Sequence, residues 1–399
     1  MISTIARVRL AENLGREVLS ARRQQARGNT AAIFESMENI HRAFSSGQLS
    51  LREVSLSALW DTLVNNGREI RESITRYGAG AADLLYEASA VQSSDFQFLM
   101  MRMLSGEVLA KFDSVDMIQD QLSTVMQTSF RSERIPGIGG LGDVVQEIGE
   151  GMPYPLAGVG ADFVDTPRTK KRGIIIPVTR EAVFFDQTGI LLDRCDRVAE
   201  AMLLSKEKRV ISVAVGATNN FNYRGTAYNT YQNGGAAELY DNTAASNPFA
   251  NWISLQTSET LHANMTDPMT GQPINITSGK ILLAGSIAVR DCMQRVVGAT
   301  EIRETTNSGN LVTIGKNPKN GYTVLYSPFV ATYAGNGTSW FQGNFKSAFK
   351  YFQNWGIETD RAGAASDEGF NNDIIFKAKV SEMAEAGVYR PWEVVKNDA

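Results

Sequence analysis

Along the first part of the chain, apolar residues recur at spacings of three and four, which is the pattern of amphipathic helices. Leu, Ile, Val and Phe keep these spacings over 1–27 and 31–43. Ser50 and Glu53 have the spacing of a capping box that opens another helix. The pattern predicts a helical region over 1–109. Three roles are open for it: an assembly or scaffolding segment, an arm for nucleic acid or an acidic partner, and a solvated helical face, which is favoured over the arm.

The middle of the chain changes from helical spacing to an extended pattern. Residues 174–185 form an apolar, β-branched run that predicts a strand, and the polar, basic stretch before it predicts the tip of a long hairpin over 162–187. Pro177 cannot donate a backbone hydrogen bond, so we expect this strand at a sheet edge. Because a long apolar edge invites pairing with another chain, the edge is expected to contact a neighbouring copy.

A long amphipathic helix is predicted over 188–215, where apolar positions return to helical spacing. At 1.5 Å per residue its length would be roughly 40 Å, and Gly216 is a suitable stop. Cys195 on its apolar face is interpreted as a small buried hydrophobe, because no histidine is near it in sequence. The apolar stripe consists of Leu192, Cys195, Ala199, Met202, Val210 and Val213, and the charged residues mostly off it are Arg194, Arg197, Glu200, Glu207 and Lys208.

The C-terminal half predicts a mixture of short strands and helices. Residues 217–250 are rich in Asn and Gly and predict loop or short hairpin, and 267–276 predict a turn. A buried strand is expected at 280–284. Ser286 is then expected to cap a helix that ends at Gly298.

Aromatic residues cluster late in the chain, with few basic residues between them. We therefore expect core or interface packing and not a platform for stacking bases. The cluster is Tyr322, Tyr326, Phe329, Tyr333, Trp340, Phe341, Phe345, Phe349, Tyr351, Phe352 and Trp355. Residues 372–380 end in a polar–apolar alternation with Lys377 and Lys379 on one face, which predicts a strand with one wet face.

Composition narrows the class of protein. The chain has 399 residues, a formal net charge of −4, 43% hydrophobic and 21% charged residues, all typical of a soluble globular protein. It has no apolar stretch of about 18 residues that would cross a membrane, and its start does not have the pattern of a secretory signal. Two cysteines and two histidines leave little material for a disulfide framework, a metal site or acid–base catalysis. We expect an intracellular protein with free thiols, no cofactor and no metal.

One motif favours an enzyme. Gly137, Gly139 and Gly142 match the dinucleotide fingerprint, which requires a buried strand immediately before the glycines. The preceding residues, 129–136, are polar and end in proline, so no strand is predicted there. A turn-rich arm is the preferred interpretation, and a nucleotide-dependent enzyme stays as a rival.

Charges are segregated along the arm and the predicted hairpin. An acidic set precedes a basic set, which suits head-to-tail contact between identical chains. A solvated hairpin tip explains the basic set equally well. The candidate interface residues are Asp143, Glu147 and Glu150 on the acidic side and Arg168, Lys170, Lys171 and Arg172 on the basic side. No catalytic residue is proposed.

From about residue 110 onward, the chain resembles the major capsid proteins of tailed bacteriophages, the HK97-like fold family. The resemblance lies in 150–189, the long helix after it, the turn at 267–276 with its following strand and helix, and the ending at 373–396. It implies an α+β fold. Its parts would be a helical N-terminal region (1–109), an N-terminal arm (110–161), an extended β-hairpin loop (162–187), a peripheral domain with a spine helix (188–216 and 334–399) and an axial domain (217–333).

The resemblance implies a structural protein and not an enzyme. Copies would form hexamers and pentamers of an icosahedral head shell around double-stranded DNA, which they would contact without sequence preference. Portal, scaffold or decoration proteins are further partners of such shells, which assemble in the host cytoplasm and belong to the virion. Some members remove a scaffold-like N-terminal segment or cross-link a loop lysine, for which Lys170 or Lys171 is the candidate. Rivals are an encapsulin-type compartment that encloses cargo enzymes and a tail or portal component.

Overall fold

The computed structural model describes residues 39, 42, 111, 117–136, 147–148, 150, 162–179, 188–218, 221–235, 238–267, 271, 273, 280–305, 311–363 and 374–398. The helical region predicted over 1–109 lies outside the described residues, apart from Asn39 and Arg42, which are helical. The fold is α+β. The chain divides into two compact units: the first contains 1–116, 172–203 and 357–382, and the second contains 117–171, 204–356 and 383–399. The predicted domain boundaries stay a prediction.

Helices and strands alternate along the described part of the chain. The helices are α1 (Gln119–Leu122), α2 (Thr188–Ala214), α3 (Trp252–Ala263), α4 (Ile287–Gly298), α5 (Pro328–Ala334) and α6 (Phe345–Ala348), with a 3₁₀ turn at Pro391–Glu393. The strands are β1 (Thr124–Gln127), β2 (Arg134–Pro136), β3 (Phe163–Asp165), β4 (Lys170–Thr179), β5 (Phe221–Tyr223), β6 (Thr226–Tyr228), β7 (Thr243–Ala244), β8 (Ile281–Ala284), β9 (Glu301–Thr305), β10 (Leu311–Lys316), β11 (Thr323–Tyr326), β12 (Trp340–Gly343), β13 (Phe349–Gly363), β14 (Ile374–Val388) and β15 (Val394–Asn397). Within these residues, no helix combines the length and the apolar character needed to cross a bilayer.

Helix α2 confirms the predicted long amphipathic helix. Cys195, Ala199 and Val210 of the predicted stripe are completely buried, and Met202 and Val213 are nearly so. Beyond the helix, Gly216 has a φ of 76°, a left-handed conformation that glycine adopts without a Cβ clash. The helix therefore ends where the sequence predicts.

Glu207 departs from the prediction that the charged residues of α2 lie mostly off its apolar stripe. Glu207 is buried and accepts a hydrogen bond of 2.7 Å from Ser327 Oγ. It follows Leu203 by four residues and precedes Val210 by three, so helical geometry places it on the buried stripe. The serine hydroxyl supplies a partner for the buried carboxylate.

The second unit is built on a five-stranded mixed sheet with the order β11-β8-β12-β15-β7. The central strands β8, β12 and β15 are antiparallel, and β11 and β7 join the two ends in parallel. Strand β8 is the one predicted at 280–284. After it, Ser286 Oγ accepts a hydrogen bond of 3.4 Å from the backbone N–H of Val289, which confirms the predicted cap of α4. Strand β15, near the end of the chain, lies inside the sheet.

The late aromatic residues fill the core of the second unit, as predicted. Trp340 Nε1 donates a hydrogen bond of 2.8 Å to the carbonyl oxygen of Asn247. The Trp340 ring lies edge-on to Phe249, with 4.9 Å between centroids. The members of the cluster that are fully or nearly fully buried are Trp340, Phe341, Phe345, Phe349, Tyr351 and Phe352.

Two further local predictions hold where the structure describes them. The backbone N–H of Gly271 donates to the carbonyl oxygen of Asp267 at 2.8 Å, which closes the predicted turn, although most of 268–276 lies outside the described residues. Strand β14 includes most of the strand predicted at 372–380, and there Ala378 and Val380 are buried while Lys377 and Lys379 are partly exposed.

Among the described residues, the strands on either side of the basic stretch, β3 and β4, do not pair with each other, so the predicted pairing of these two stretches is wrong, while 180–187 lie outside the described residues. Strand β3 belongs to a sheet with the order β2-β3-β5-β6, and β4 belongs to another with the order β1-β13-β14-β4. The linker makes no tight turn, because the N–H groups of Thr166 and Thr169 donate to the carbonyl oxygens of Glu133 and Arg131, at 2.9 and 2.8 Å. Hydrogen bonds to distant residues thus replace the local hairpin.

A strand does precede the glycine motif, contrary to the prediction. Strand β2 ends immediately before Gly137 and pairs antiparallel with β3. Arg134 and Pro136 are exposed, so β2 is a short edge strand and not the buried strand that the dinucleotide fingerprint requires. Gly137, Gly139 and Gly142 themselves lie outside the described residues.

Helix α3 contributes to a largely buried polar cluster in the second unit. Glu259 accepts a hydrogen bond of 2.6 Å from Tyr322 Oη and pairs with Lys319 Nζ. Gln342 Nε2 donates to the same tyrosine oxygen at 3.1 Å. One turn along α3, His262 is 6% exposed, and its Nε2 has no hydrogen-bond partner in the part of the chain that the structure describes. Burial, opposed by the charge of Glu259, lowers the pKa of His262 to about 4.

We expect the protein to lose stability in acid through His262. The folded state keeps the imidazole neutral down to about pH 4, whereas the unfolded chain protonates it near pH 6.5. This contribution is therefore complete above about pH 6.5 and is lost as the pH falls towards 4, by about 3 kcal/mol. Urea unfolding at several pH values should show a shallower loss for His262→Gln, and identical pH profiles would contradict the prediction.

Candidate assembly surface

Strand β4 is an edge strand of its sheet, as its proline predicts. It stands at one end of the order β1-β13-β14-β4, and Pro177 lies within it. Ile176 and Val178 are buried, but Ile174 and Ile175 are 36% and 55% exposed. The strand thus presents apolar side chains beside a row of backbone groups that no strand in the described part of the chain pairs with.

A glycine lets β4 approach its neighbour closely. A Cβ atom on Gly173 would lie 2.5 Å from the carbonyl oxygen of Val380 and 2.9 Å from the Cβ of Ser381, both in β14. Any larger residue would push the two strands apart. The side of β4 that faces β14 is therefore fully occupied, and only its other side can accept a partner.

The basic residues predicted at a hairpin tip instead begin a strand. Lys170, Lys171 and Arg172 are the first three residues of β4, and Arg168 precedes them; all but the half-buried Arg172 are exposed. Lys170 Nζ lies 3.9 Å from Glu385, with 70% of the lysine side chain exposed, so this ion pair contributes little to stability.

A further contact at this end of β4 joins a lysine to an aromatic ring. Lys171 Nζ lies 5.9 Å from the centroid of the Trp355 ring, a loose cation–π contact on an exposed lysine. Lys170 and Lys171 both remain exposed to solvent while making these contacts.

The acidic set does not meet the basic set within one described chain. Glu147 and Glu150 are exposed, and in the described residues neither forms an ion pair with Arg168, Lys170 or Lys171. Asp143 lies outside the described residues. The head-to-tail contact between copies stays a prediction.

Strand β1 and the turn after it carry exposed apolar residues that the sequence analysis missed. Strand β1 pairs only with β13 among the described strands, and Val125 in it is 46% exposed. Phe130 follows and is 66% exposed, although Asn354 Nδ2 holds its turn by donating to the carbonyl oxygens of Thr128 and Phe130 at 3.0 and 2.9 Å. An isolated phenylalanine in a polar stretch was the only sequence signal for this residue.

One cavity in the second unit bears on the alternative hypothesis that the chain is an enzyme. A space of about 330 Å³ in the second unit is lined by residues from the starts of α3 and β9 and the end of α4, among them Trp252, Cys292 and Arg295. Cys292 Sγ donates to the carbonyl oxygen of Ala250 at 3.3 Å, and His262 is not in the lining, so the thiol has no imidazole base there. Among the described residues, no group of three or more His, Cys, Asp or Glu side chains could hold a metal ion.

Comparison with known proteins gives one family match. A family model described as phage capsid protein matches residues 164–397, more than half of the chain, from within β3 to the end of β15. No curated protein sequence matches the chain.

Solved structures resemble the chain more weakly. A virus-like particle from Pyrococcus furiosus has 9% identity over 74% of this chain and 98% of its own, with a TM-score of 0.41. The capsid of cyanophage P-SCSP1u has 14% identity over 71% of this chain and 88% of its own, with a TM-score of 0.40. A structure from Mycobacterium phage Bobi has 10% identity, 71% and 91% coverage and a TM-score of 0.40. At these identities and scores, the family assignment depends on the family match alone.

Proposed function

The chain belongs to the phage capsid protein family, and we propose that its copies form the hexamers and pentamers of an icosahedral head that encloses double-stranded DNA. As a major capsid protein it is a structural component of the virion that assembles with itself. The family match supports the role of a capsid protein. The hexamers and pentamers and the enclosed DNA are what we propose in addition. Portal, scaffold or decoration proteins would complete such a head.

One observation carries the proposed mode of assembly: β4 is an edge strand with exposed Ile174 and Ile175. An exposed apolar edge promotes aggregation of a protein that works as a monomer. In a shell subunit, a second copy can pair with this edge and bury it. Repeated contacts of this heterologous kind close into rings and shells when their rotation permits.

The charges next to this edge suggest how the neighbouring copy is oriented. The exposed Lys170 and Lys171 at the start of β4 would face the exposed Glu147 and Glu150 of the next copy's arm, with Arg168 and Asp143 extending the two sets. Complementary charge sets the direction of docking and its rate more than its strength.

Electron microscopy of the chain expressed alone tests the proposed function. Closed shells of uniform size are the expected result. A stable, monodisperse monomer at high concentration would overturn the proposal, and tubes or isolated rings would indicate a tail or portal component.

Reversing the basic start of β4, with Lys170, Lys171 and Arg172 all changed to Glu, is expected to impair shell formation more than folding. The exposed lysines contribute little to the fold, but the reversal would place acidic groups against an acidic arm. Electron microscopy and urea unfolding of the same preparation measure the two effects.

A control with the same change in net charge separates position from charge. Arg194 and Arg197 on α2 and Lys316 at the end of β10 are all exposed, and reversing these three should leave assembly intact. If both triple variants fail to assemble to the same extent, net charge and not the β4 edge is responsible.

A further inference from the structure

Two cations face one tyrosine ring in the second unit. Lys350 Nζ lies 5.8 Å and Arg390 Cζ lies 5.4 Å from the centroid of the Tyr389 ring. Lys346 is exposed on α6, and its carbonyl oxygen accepts a hydrogen bond of 2.9 Å from Lys350 Nζ. Lys346, Lys350 and Arg390 are called the basic cluster below.

The backbone around the basic cluster is held in place. The N–H groups of Tyr389 and Arg390 donate to the carbonyl oxygen of Ala348 at 2.8 and 3.1 Å. The carbonyl oxygen of Lys346 accepts a second hydrogen bond, of 2.9 Å, from Thr124 Oγ1. The cationic groups of Lys350 and Arg390 are therefore positioned before any ligand arrives, which lowers the entropy cost of binding, and Lys346 adds an exposed charge next to them.

The charge of the basic cluster is only partly neutralised. Glu393 is 8% exposed, and its Oε1 lies 3.8 Å from an Arg390 terminal nitrogen while it already accepts a hydrogen bond of 2.6 Å from Ser347 Oγ. The Nε atom of Arg390 is buried and has no hydrogen-bond partner among the described residues. Glu393 is therefore the carboxylate that pairs with Arg390, and its charge also acts on Lys350.

The surroundings of Lys350 disfavour its positive charge. Burial foremost, and then the nearby charge of Arg390, lower the pKa of Lys350, while the charge of Glu393 raises it. An anion placed between the two cations would offset both the desolvation and the repulsion.

We propose that the basic cluster binds phosphate groups of the DNA that the shell encloses. The inference rests on the proposed function, and it names the protein surface that meets the DNA. Arg390 offers planar donors that match phosphate oxygens, and the two lysines add point charges. Contacts of this type carry no sequence information, which suits a shell that must hold any genome sequence. Because Tyr389 already faces two cations, the cluster is suited to phosphates and not to stacked bases.

Replacing Lys346, Lys350 and Arg390 with Gln in the full chain tests the proposal. Before assembly, binding to a short fluorescent duplex of random sequence should weaken by about tenfold or more, and the slope of log affinity against log salt should become shallower by about 0.9 for each phosphate that the variant no longer neutralises. Shells should still form. The double variant Lys346→Gln with Lys350→Gln, which leaves Arg390 in place, should show a smaller decrease in affinity and serves if the triple variant fails to fold.

A control that removes two positive charges, as the double variant does, uses an arginine whose charge already has a partner. Arg290 lies 5.5 Å from the Tyr326 ring and pairs with Asp291 at 2.8 Å. Arg290→Gln combined with Lys316→Gln should leave DNA affinity unchanged. An equal decrease in this control would overturn the assignment of the DNA contact to the basic cluster.

The remaining outcomes separate this inference from the proposed function. If the unchanged chain forms shells but does not bind the duplex at low salt, the inference fails and the shell function stands. If the triple variant binds DNA normally and forms no shells, the cations hold a neighbouring copy, which also overturns the inference. If the unchanged chain forms no shells, the proposed function fails, whatever the DNA result.

Discussion

Exchanging Asn242 for aspartate is expected to destabilise the second unit by about 4 kcal/mol, a large part of the roughly 5–15 kcal/mol by which a folded domain is stable. Asn242 is completely buried, and the two hydrogens of its Nδ2 are shared among three carbonyl oxygens, those of Thr230, Pro391 and Val394, each 3.1 Å from the nitrogen. Its Oδ1 accepts a hydrogen bond of 2.7 Å from the backbone N–H of Gln232. Aspartate has almost the same shape but would direct a carboxylate oxygen at three carbonyl oxygens without water to separate them.

The same substitution at a helix cap is the matched control. Asn251 Oδ1 only accepts, from the N–H groups of Ile253 and Ser254 at 2.9 and 3.4 Å, at the start of α3. A carboxylate accepts these bonds equally well and interacts favourably with the helix N-terminus. Urea unfolding of the unassembled chain should therefore place Asn251→Asp within about 0.5 kcal/mol of the unchanged chain. Similar decreases in stability for the two variants would show that the hydrogen bonds that Asn242 donates do not hold the fold.

The elements that the sequence predicts correctly depend on residues close together in the chain. Helix α2 is encoded by apolar spacing and ends at Ala214, just before the left-handed Gly216. Strand β8 and the Ser286 cap of α4 follow from a short apolar run and a single hydroxyl. Each of these signals lies within one element, so the sequence pattern contains it completely.

What the sequence could not predict is which elements pair across long separations. Strand β15 lies between β12 and β7, although no sequence pattern in 394–397 predicts that it pairs with 340–343. Asn242 reads as an ordinary loop residue, because its role depends on carbonyl groups some 150 residues further along the chain. The wrong prediction that β3 pairs with β4 has the same origin, since β3 pairs with β2 and β5 instead.

The candidate surface was predicted only in part. The basic residues and the edge position of β4 could be derived from charge and from Pro177. The exposure of Phe130 could not, because it depends on hydrogen bonds from Asn354 that hold the turn while leaving the ring in water. Exposure of a single side chain is a tertiary property that neighbouring sequence does not encode.

Replacing Ile175 with lysine is expected to abolish shell formation while leaving the subunit folded. Ile175 is 55% exposed on an edge strand, so the subunit loses little apolar burial when it is changed. Lysine on an edge strand opposes pairing with another strand, because its charge would have to be desolvated in the contact. Light scattering and electron microscopy should show unassembled protein, and circular dichroism should show unchanged helix and strand content.

The control for this change is an isoleucine of the same exposure on a helix. Ile253 is 51% exposed in the first turn of α3, and Ile287 is 52% exposed in the first turn of α4. Lysine at either position adds the same charge and removes the same apolar area without touching a strand edge. If both control variants assemble and Ile175→Lys does not, the effect belongs to strand pairing, since the added charge and the removed apolar area are equal in the three proteins. If all three fail, exposed apolar area in general drives assembly; if Ile175→Lys assembles normally, β4 is not where copies of this chain meet.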